Sequence, residues 1–572
     1  MPGYYTFDLT TPIDILNGND FYVRIKYNTP SYTYPVPIET DYPDYSDATI
    51  ETGVCWMSYD GTSGWTALGG STSYPYDICI KAYALTVYPD LLVNISNQTI
   101  SEDITYNNVN IESDASLTLD NAYILEVRGD FVIESDASGT GSFIQNGTLD
   151  VAGDIIVQKY LPNTTTSGWT LAAPVQGATH EVFDGSDNIY YYSPTSANWL
   201  PFGTGTLAEM TGYVVRFPVT KTLAFEGTLN NGAISRNNFI RQASPNNYGW
   251  NYTGNPYPSP IDWDLVVGDD NQVFVDNTHL DAAIHVREAD GGIMTYLPNV
   301  EVSPDRIIPA MQAFWVHVNS SYTTASLSLN NTHRVHGANN ILKSFNNKLL
   351  TLEIERDTYK DRTKINFKSG ASEYFEGAYD AVKLYADNMQ HPQIYTTDAD
   401  NQALAINSLP ELKSARLITM GFKTSVDGIF TLSAKDIALF DGNFNVVLED
   451  LYNNTLTDLR QQNTYVFSSS VDNTSERFVL HFIPQHTSNN IHISDNEIMI
   501  YAQDNIVYIM NTQEDASSVC IYNILGQEVL NQELKGNELN KIETILSSGQ
   551  YVVKVFSKTQ TITQKVFLGL TE

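Results

Sequence analysis

Cys55, in the stretch GVCWMSYDG (53–61), is the first side chain in the chain that could carry covalent chemistry. A thiolate nucleophile needs a histidine base within reach, and none of the glycine-cysteine motifs of that chemistry flanks it. Serine hydrolysis fares no better: no G-x-S-x-G occurs, and without a nucleophile elbow the ten histidines carry no triad information. His333 and His336 in THRVH lie close together with His317 nearby in sequence. On a strand, positions i and i+3 point to opposite faces, so joint metal ligation would need a turn, and loop histidines are the simpler reading. The acidic loops DGSDN (184–188), GDDNQ (268–272) and DADN (398–401) could hold Ca²⁺ through hard oxygen ligands. None fits the EF-hand spacing, and turns in which Asp and Asn satisfy their own backbone account for them more simply. Glycan contact is the remaining chemistry. It needs exposed aromatic faces with polar groups beside them, and Trp56 and Trp65, flanked by Tyr59 and Asp60, are the best offer, although core burial is the commoner fate of a tryptophan. Glycoside hydrolysis needs two placed carboxylates, and 66 acids nominate no pair. We assign no catalytic residue, no metal ligand and no cofactor, and read the chain as a non-enzyme.

Bulk properties narrow the partners. Lys and Arg number 31 against 66 Asp and Glu, a formal net charge of −35. Such a field repels phosphate backbones and anionic lipid, which argues against nucleic acid. With 17% charged and 42% hydrophobic residues the composition is globular. At 572 residues the chain exceeds one core, and several domains are expected. Three cysteines (Cys55, Cys79 and Cys520) make no disulfide framework; Cys55 and Cys79 could bridge or remain two buried thiols. No run of eighteen apolar residues predicts a membrane-spanning helix.

The elements that must position these residues are strands. Short alternating or β-branched runs closed by Asn, Asp, Gly or Pro recur throughout, as in DFYVRIKY (20–27), TGYVVRF (211–217), AFWVHV (313–318) and RFVLHF (477–482). The predicted class is all-β and multi-domain, with little helix. Residues 1–86 read as a β-sandwich that opens as if inside a larger domain and without a signal peptide, so a fragment of a longer gene product is expected. Residues 87–160 hold IESDAS twice, at 111–116 and 133–138. A repeat of about 20–25 residues with short strands predicts a β-solenoid-like segment; an antiparallel meander is the alternative. Residues 161–344 form a β-rich module with Trp169, Trp199, Trp250, Trp263 and Trp315. Within it Pro256, Pro258 and Pro260 fix an extended path that Trp263 would pin to a core. Residues 345–485 read as a β-sandwich and 486–497 as a polar linker.

Residues 498–572 carry at least five strands. Gly526, in IYNILGQEV (521–529), sits where a hairpin needs positive φ, and Gly549, ahead of Tyr551 in SGQYVVKV (548–555), is expected to do the same. Tyr551 would share one strand face with Val553 and Val555. These phrases, with the terminal QKVFL (564–568), resemble the C-terminal sorting domain of type IX secretion cargo in the Bacteroidota, an Ig-like β-sandwich. The resemblance implies that Gly526, Gly549, Tyr551, Lys554 and Lys565 belong to the sorting signal. It also implies export to the outer-membrane surface or beyond, with the type IX machinery and a sorting-domain-processing peptidase as partners. The chain departs from the family pattern in lacking the opening Pro-Asn-Pro segment and a basic tail.

Residues 3–84, through TPIDILNGNDFYVRIKY, PVPIE and SYDGTSGWTAL, resemble the lectin-like domain appended to secreted papain-like peptidases. Two functions follow as expectations. One is a surface adhesive or scaffold protein that binds glycan through residues 1–86. The other is the non-catalytic C-terminal portion of a secreted peptidase, papain-like or subtilisin-like, whose catalytic domain lies upstream.

Overall fold

A computed structural model describes residues 88–163, 168–242, 248–288, 290–300, 303–337, 347–388, 390–471, 475–485, 498–511, 517–536, 538–558 and 561–569. Nearer the N-terminus it describes 22–26, 28, 30–31, 36, 38–39, 53–69 and 73–78. Cys79 and the polar stretch 486–497 lie outside the described residues. The chain divides into two compact units, Met1–Val87 and Tyr88–Glu572. In the first unit Ile38–Glu39 pairs antiparallel with Asp77–Ile78, and Cys55–Met57 with Thr66–Leu68.

The second unit begins with a three-sided coil of parallel strands. Leu91–Val93, Val109–Ile111, Phe131–Ile133 and Ile155–Leu161 stack on one side. Gln98–Ile100, Ser116–Leu119 and Ser142–Gln145 make the second side, and Ile104–Tyr106, Ile124–Val127 and Thr148–Val151 the third. The duplicated IESDAS explains the register: Ile111 lies directly beside Ile133. Parallel pairing excludes the meander, whose neighbours would run antiparallel. Apolar residues fill the axis, with Val93, Ile111, Leu117, Leu125, Phe131, Ile133, Phe143 and Val157 fully buried.

One corner is a ladder of short polar side chains. Asp90 Oδ1 accepts from the Asn108 backbone N–H at 3.0 Å, Asn108 Oδ1 from that of Asp130 at 3.0 Å, and Asp130 Oδ1 from that of Asp154 at 2.9 Å. Each rung thereby satisfies the next rung's turn. The antiparallel strand Lys221–Glu226 pairs with Ile155–Leu161 and ends the stack, covering an edge that would otherwise invite another chain.

Two four-stranded antiparallel sheets follow. One comprises Trp169–Leu171, Tyr213–Val215, Ile189–Ser193 and Asn198–Pro201, the other Trp250–Gly254, Ala313–His317, Ile284–Arg287 and Ile293–Tyr296. Edge-to-face rings join them: Tyr192 lies 4.6 Å and Trp199 5.7 Å from Trp315, the offset geometry that ring quadrupoles favour. The Pro-rich path is buried and acts as a hub. The Pro256 carbonyl accepts from Asn230 Nδ2 at 2.9 Å and that of Pro258 from the Phe143 N–H of the coil at 3.0 Å. Trp263 is fully buried and donates its indole N–H to the Ala282 carbonyl at 2.8 Å. Among the described residues helix is confined to short pieces such as Trp263–Val267 and Asn271–Thr278.

Residues 349–484 form one long sheet of eleven strands curled on itself around Leu352, Phe422, Phe430, Leu432, Phe478 and Leu480. The chain ends in a sandwich of two sheets. Met499–Gln503, Ile506–Asn511 and Glu538–Glu543 form the first; Glu528–Leu534, Ser517–Asn523, Gly549–Phe556 and Thr561–Leu568 form the second. Between them Ile500, Val507, Ile509, Val519, Ile521, Val553 and Val555 close a separate core.

Candidate functional sites

Two surfaces collect the side chains that could meet a partner. The first is the hairpin Cys55–Met57 with Thr66–Leu68, which sets Trp56 opposite Ala67. Its connecting loop folds around Asp60. Oδ1 accepts from the backbone N–H groups of Thr62 and Ser63, both at 2.8 Å, and Oδ2 from the Ser63 hydroxyl at 2.6 Å. These donors, the Ser63 hydroxyl foremost, hold the Asp60 carboxyl well below the usual carboxylate range. Asp60 therefore shapes the loop, which presents its neighbour Tyr59 fully to solvent. Trp56 is 38% and Trp65 48% exposed, so neither takes the core position that is commoner for tryptophan. Tyr22 stands 6.3 Å from Trp56, ring to ring. Cys55 is half-buried.

The second surface is the outer face of the C-terminal four-stranded sheet. Strand parity sends Val519, Ile521, Val553 and Val555 inward, and Tyr522, Val552 and Lys554 outward. Val552 pairs with Lys565, which joins the same face. The Lys554 ammonium lies 5.5 Å from the centre of the Tyr522 ring, within cation–π range. Lys554 and Lys565 are thus brought together on one surface, whereas Tyr551 points into the core and donates its hydroxyl to the Ser547 carbonyl at 2.8 Å. Gly526 has φ 81°, as the hairpin requires, and Asn523 Oδ1 braces the turn by accepting from the N–H groups of Leu525 and Gln527 at 3.0 Å each.

Gly549 corrects the sequence reading: its φ is not positive, because it is the first residue of the strand Gly549–Phe556 and pairs with Leu568. Tyr522, Phe567 and the exposed pair Ile524–Leu525 on the hairpin tip were missed. Counting by twos from Lys554 and across its pairings would have found Tyr522, but only once the pairing is known.

The remaining sequence candidates fall apart in space. His317 is buried between the Asp281 carboxylate and the Tyr248 carbonyl. His333 caps the turn at Asn330. His336 sits between the hydroxyls of Thr118 at 2.7 Å and Ser142 at 2.8 Å, stapling its segment to the parallel coil. In the acidic loops, Asp187 pairs with Arg216 at 2.7 Å, Asp270 caps the helix Asn271–Thr278, and Asp398 accepts from the N–H groups of Asp400 and Gln402. Among the described residues no group of three or more His, Cys, Asp or Glu side chains is arranged to hold a metal ion.

The chain matches three known families, two of which overlap over residues 65–84. The family described as Domain of unknown function (DUF8693) matches residues 65–482, most of the chain. The chain belongs to that family. In this DUF8693 protein the Lectin like domain family matches residues 1–84, and the Secretion system C-terminal sorting domain family matches residues 502–568. The protein is therefore a cargo of the type IX secretion system, exported to the cell surface or the extracellular space, and its C-terminal sandwich engages that machinery. A search of curated proteins finds no match. No helix among the described residues is long and apolar enough to cross a membrane.

Proposed function

We propose that this DUF8693 protein is a non-catalytic adhesive or scaffold protein of the cell surface that binds glycan through its N-terminal lectin-like unit. The observation that carries the reading is the hairpin at 55–68. Trp56, Tyr59 and Trp65 are exposed on or beside a loop locked by four hydrogen bonds to Asp60. A sugar ring stacks its C–H face on such aromatics, and a loop ordered in advance lowers the entropy lost on binding. A structural role for the body is supported by its histidines: those at 317, 336 and 481 have both ring nitrogens engaged by neighbouring groups. They hold packing together. The C-terminal sandwich supplies the address, and a processing peptidase is its expected second partner.

The test is a glycan array probed with the full chain and with a Trp56→Ala, Trp65→Ala double variant. Binding by the wild type that disappears in the variant supports the reading. Silence of the wild type across the array removes it.

A further inference from the structure

Between the curled sheet of residues 349–484 and the C-terminal sandwich lies an apolar cluster separate from both cores. Tyr501, Tyr508 and Met510 of the sandwich pack on Val447 and Ile483 of the sheet, with Ala415, Leu417 and Leu456 around them. Tyr501 and Tyr508 are cross-strand partners whose rings stack 5.0 Å apart and 4° from parallel. Through this cluster runs a chain of hydrogen bonds that crosses the seam twice. Tyr501 donates its hydroxyl to His481 Nδ1, and His481 Nε2–H donates to Glu449 Oε2 at 2.9 Å. Lys541, back on the sandwich, reaches Glu449 Oε1 at 3.2 Å.

The directions are mutually consistent. Burial pushes the Tyr501 hydroxyl far above its ordinary range, so it is a donor at any physiological pH. Burial also opposes charge on Glu449, but the hydrogen bond from His481 and the charge and hydrogen bond of Lys541 outweigh it and hold the carboxyl below its usual value. His481 is fully buried and Tyr501 nearly so. Separating the two bodies with their relay unmade would expose two tyrosine rings and Met510 and leave a charged pair broken.

We propose that this seat holds the C-terminal sandwich on the body non-covalently, so that severing the backbone between residues 485 and 498 leaves the two parts associated. The sandwich has its own closed core and uses the outer face of its three-stranded sheet for the seat. The face bearing Tyr522, Lys554 and Lys565 belongs to the other sheet and stays open. The exported protein accordingly travels as one folded body with its address on the outside, and chain cleavage and departure of the sandwich are separate events.

The full chain carrying a specific protease sequence between residues 485 and 498 is cut under native conditions and passed over a size-exclusion column at micromolar concentration. The C-terminal fragment is expected to co-elute with the body. Lys541→Glu, at a side chain 44% exposed, sets like charge against Glu449 without touching either core. Combined with Tyr501→Phe, which keeps the ring, it is expected to weaken retention by about tenfold or more, with the circular dichroism of the uncut chain unchanged. Free elution of the wild-type fragment would overturn the proposal, and so would retention of the double variant at wild-type strength.

Discussion

Arg477 grips Asp450 with two parallel hydrogen bonds in the interior of the curled sheet, Nε to Oδ1 at 3.1 Å and Nη2 to Oδ2 at 2.7 Å. The side chains are 3% and 0% exposed. The Phe467 ring lies 4.3 Å from the guanidinium, and the Tyr465 hydroxyl adds a 2.9 Å bond to Asp450 Oδ2. Burial works against the Asp450 charge, yet Arg477 and Tyr465 hold its carboxyl below the ordinary value. Arg477→Met strands that carboxylate, and a loss of roughly 3–5 kcal/mol in urea unfolding is expected. Arg477→Lys keeps the charge but loses the planar fork, and should recover only part of it.

His285 gives the body a pH dependence of known sign. It is 1% exposed, lies against Trp250, and burial, followed by the charges of His317 and Lys383, drives its pKa down to about 3. The folded state therefore binds fewer protons than the unfolded chain below pH about 6.5. Stability is complete above that value and is lost as pH falls toward 3. Between pH 7 and 5 this one site accounts for up to about 2 kcal/mol. Denaturant unfolding of His285→Leu at both pH values should show a shallower fall than wild type, and an identical fall would sink the assignment.

The two glycines of the C-terminal sandwich should respond differently to the same change. Gly526 sits at φ 81°, so Gly526→Ala is expected to cost about 1–2 kcal/mol from backbone strain. A Cβ at Gly549 would meet nothing closer than 3.9 Å, and Gly549→Ala should change stability by less than about 0.5 kcal/mol. Thermal unfolding of the full chain followed at the C-terminal sandwich distinguishes them.

Export should depend on the open face more than on the core of that sandwich. Lys554→Glu with Lys565→Glu reverses two charges on one surface without altering an inward residue. In a secreting host supplied with an N-terminal signal peptide, the variant is expected to accumulate in the periplasm with its fold intact. Val553→Thr, inside the core, should lower stability while leaving the folded fraction deliverable. Cell fractionation with a protease-accessibility assay reads both, and surface delivery of the double lysine variant at the wild-type level would remove the face from the signal.

Much of this architecture could be read from the chain because its causes are local. The duplicated IESDAS gives the coil its period, and each copy buries its isoleucine on the coil axis, which is why Ile111 and Ile133 end up side by side. Three prolines in five residues fix a path wherever they lie, and Trp263 follows them into the core. The sites were less legible. Asp60 looked like a ligand group and is first a loop strut, since nothing in SYDGTSGW shows that Ser63 turns back upon it. Gly549 looked like Gly526 because both precede apolar strands, but strand pairing with Leu568 set its backbone.

By itself the sequence determined the strand class, the coil and the positions of its turns, which follow from periods of two, repeats of about twenty residues and residues with restricted φ, and it marked the sorting module at its end through resemblance to a known family. Only the tertiary structure decided which histidines were consumed, which lysines share a face, and that the C-terminal sandwich has a seat. Each of those depends on partners distant in the chain: His317 finds Asp281, His336 finds Ser142, and Glu449 finds both His481 and Lys541. A side chain's spacing fixes which way it leaves its own strand, but its chemistry is settled by whatever the fold places opposite.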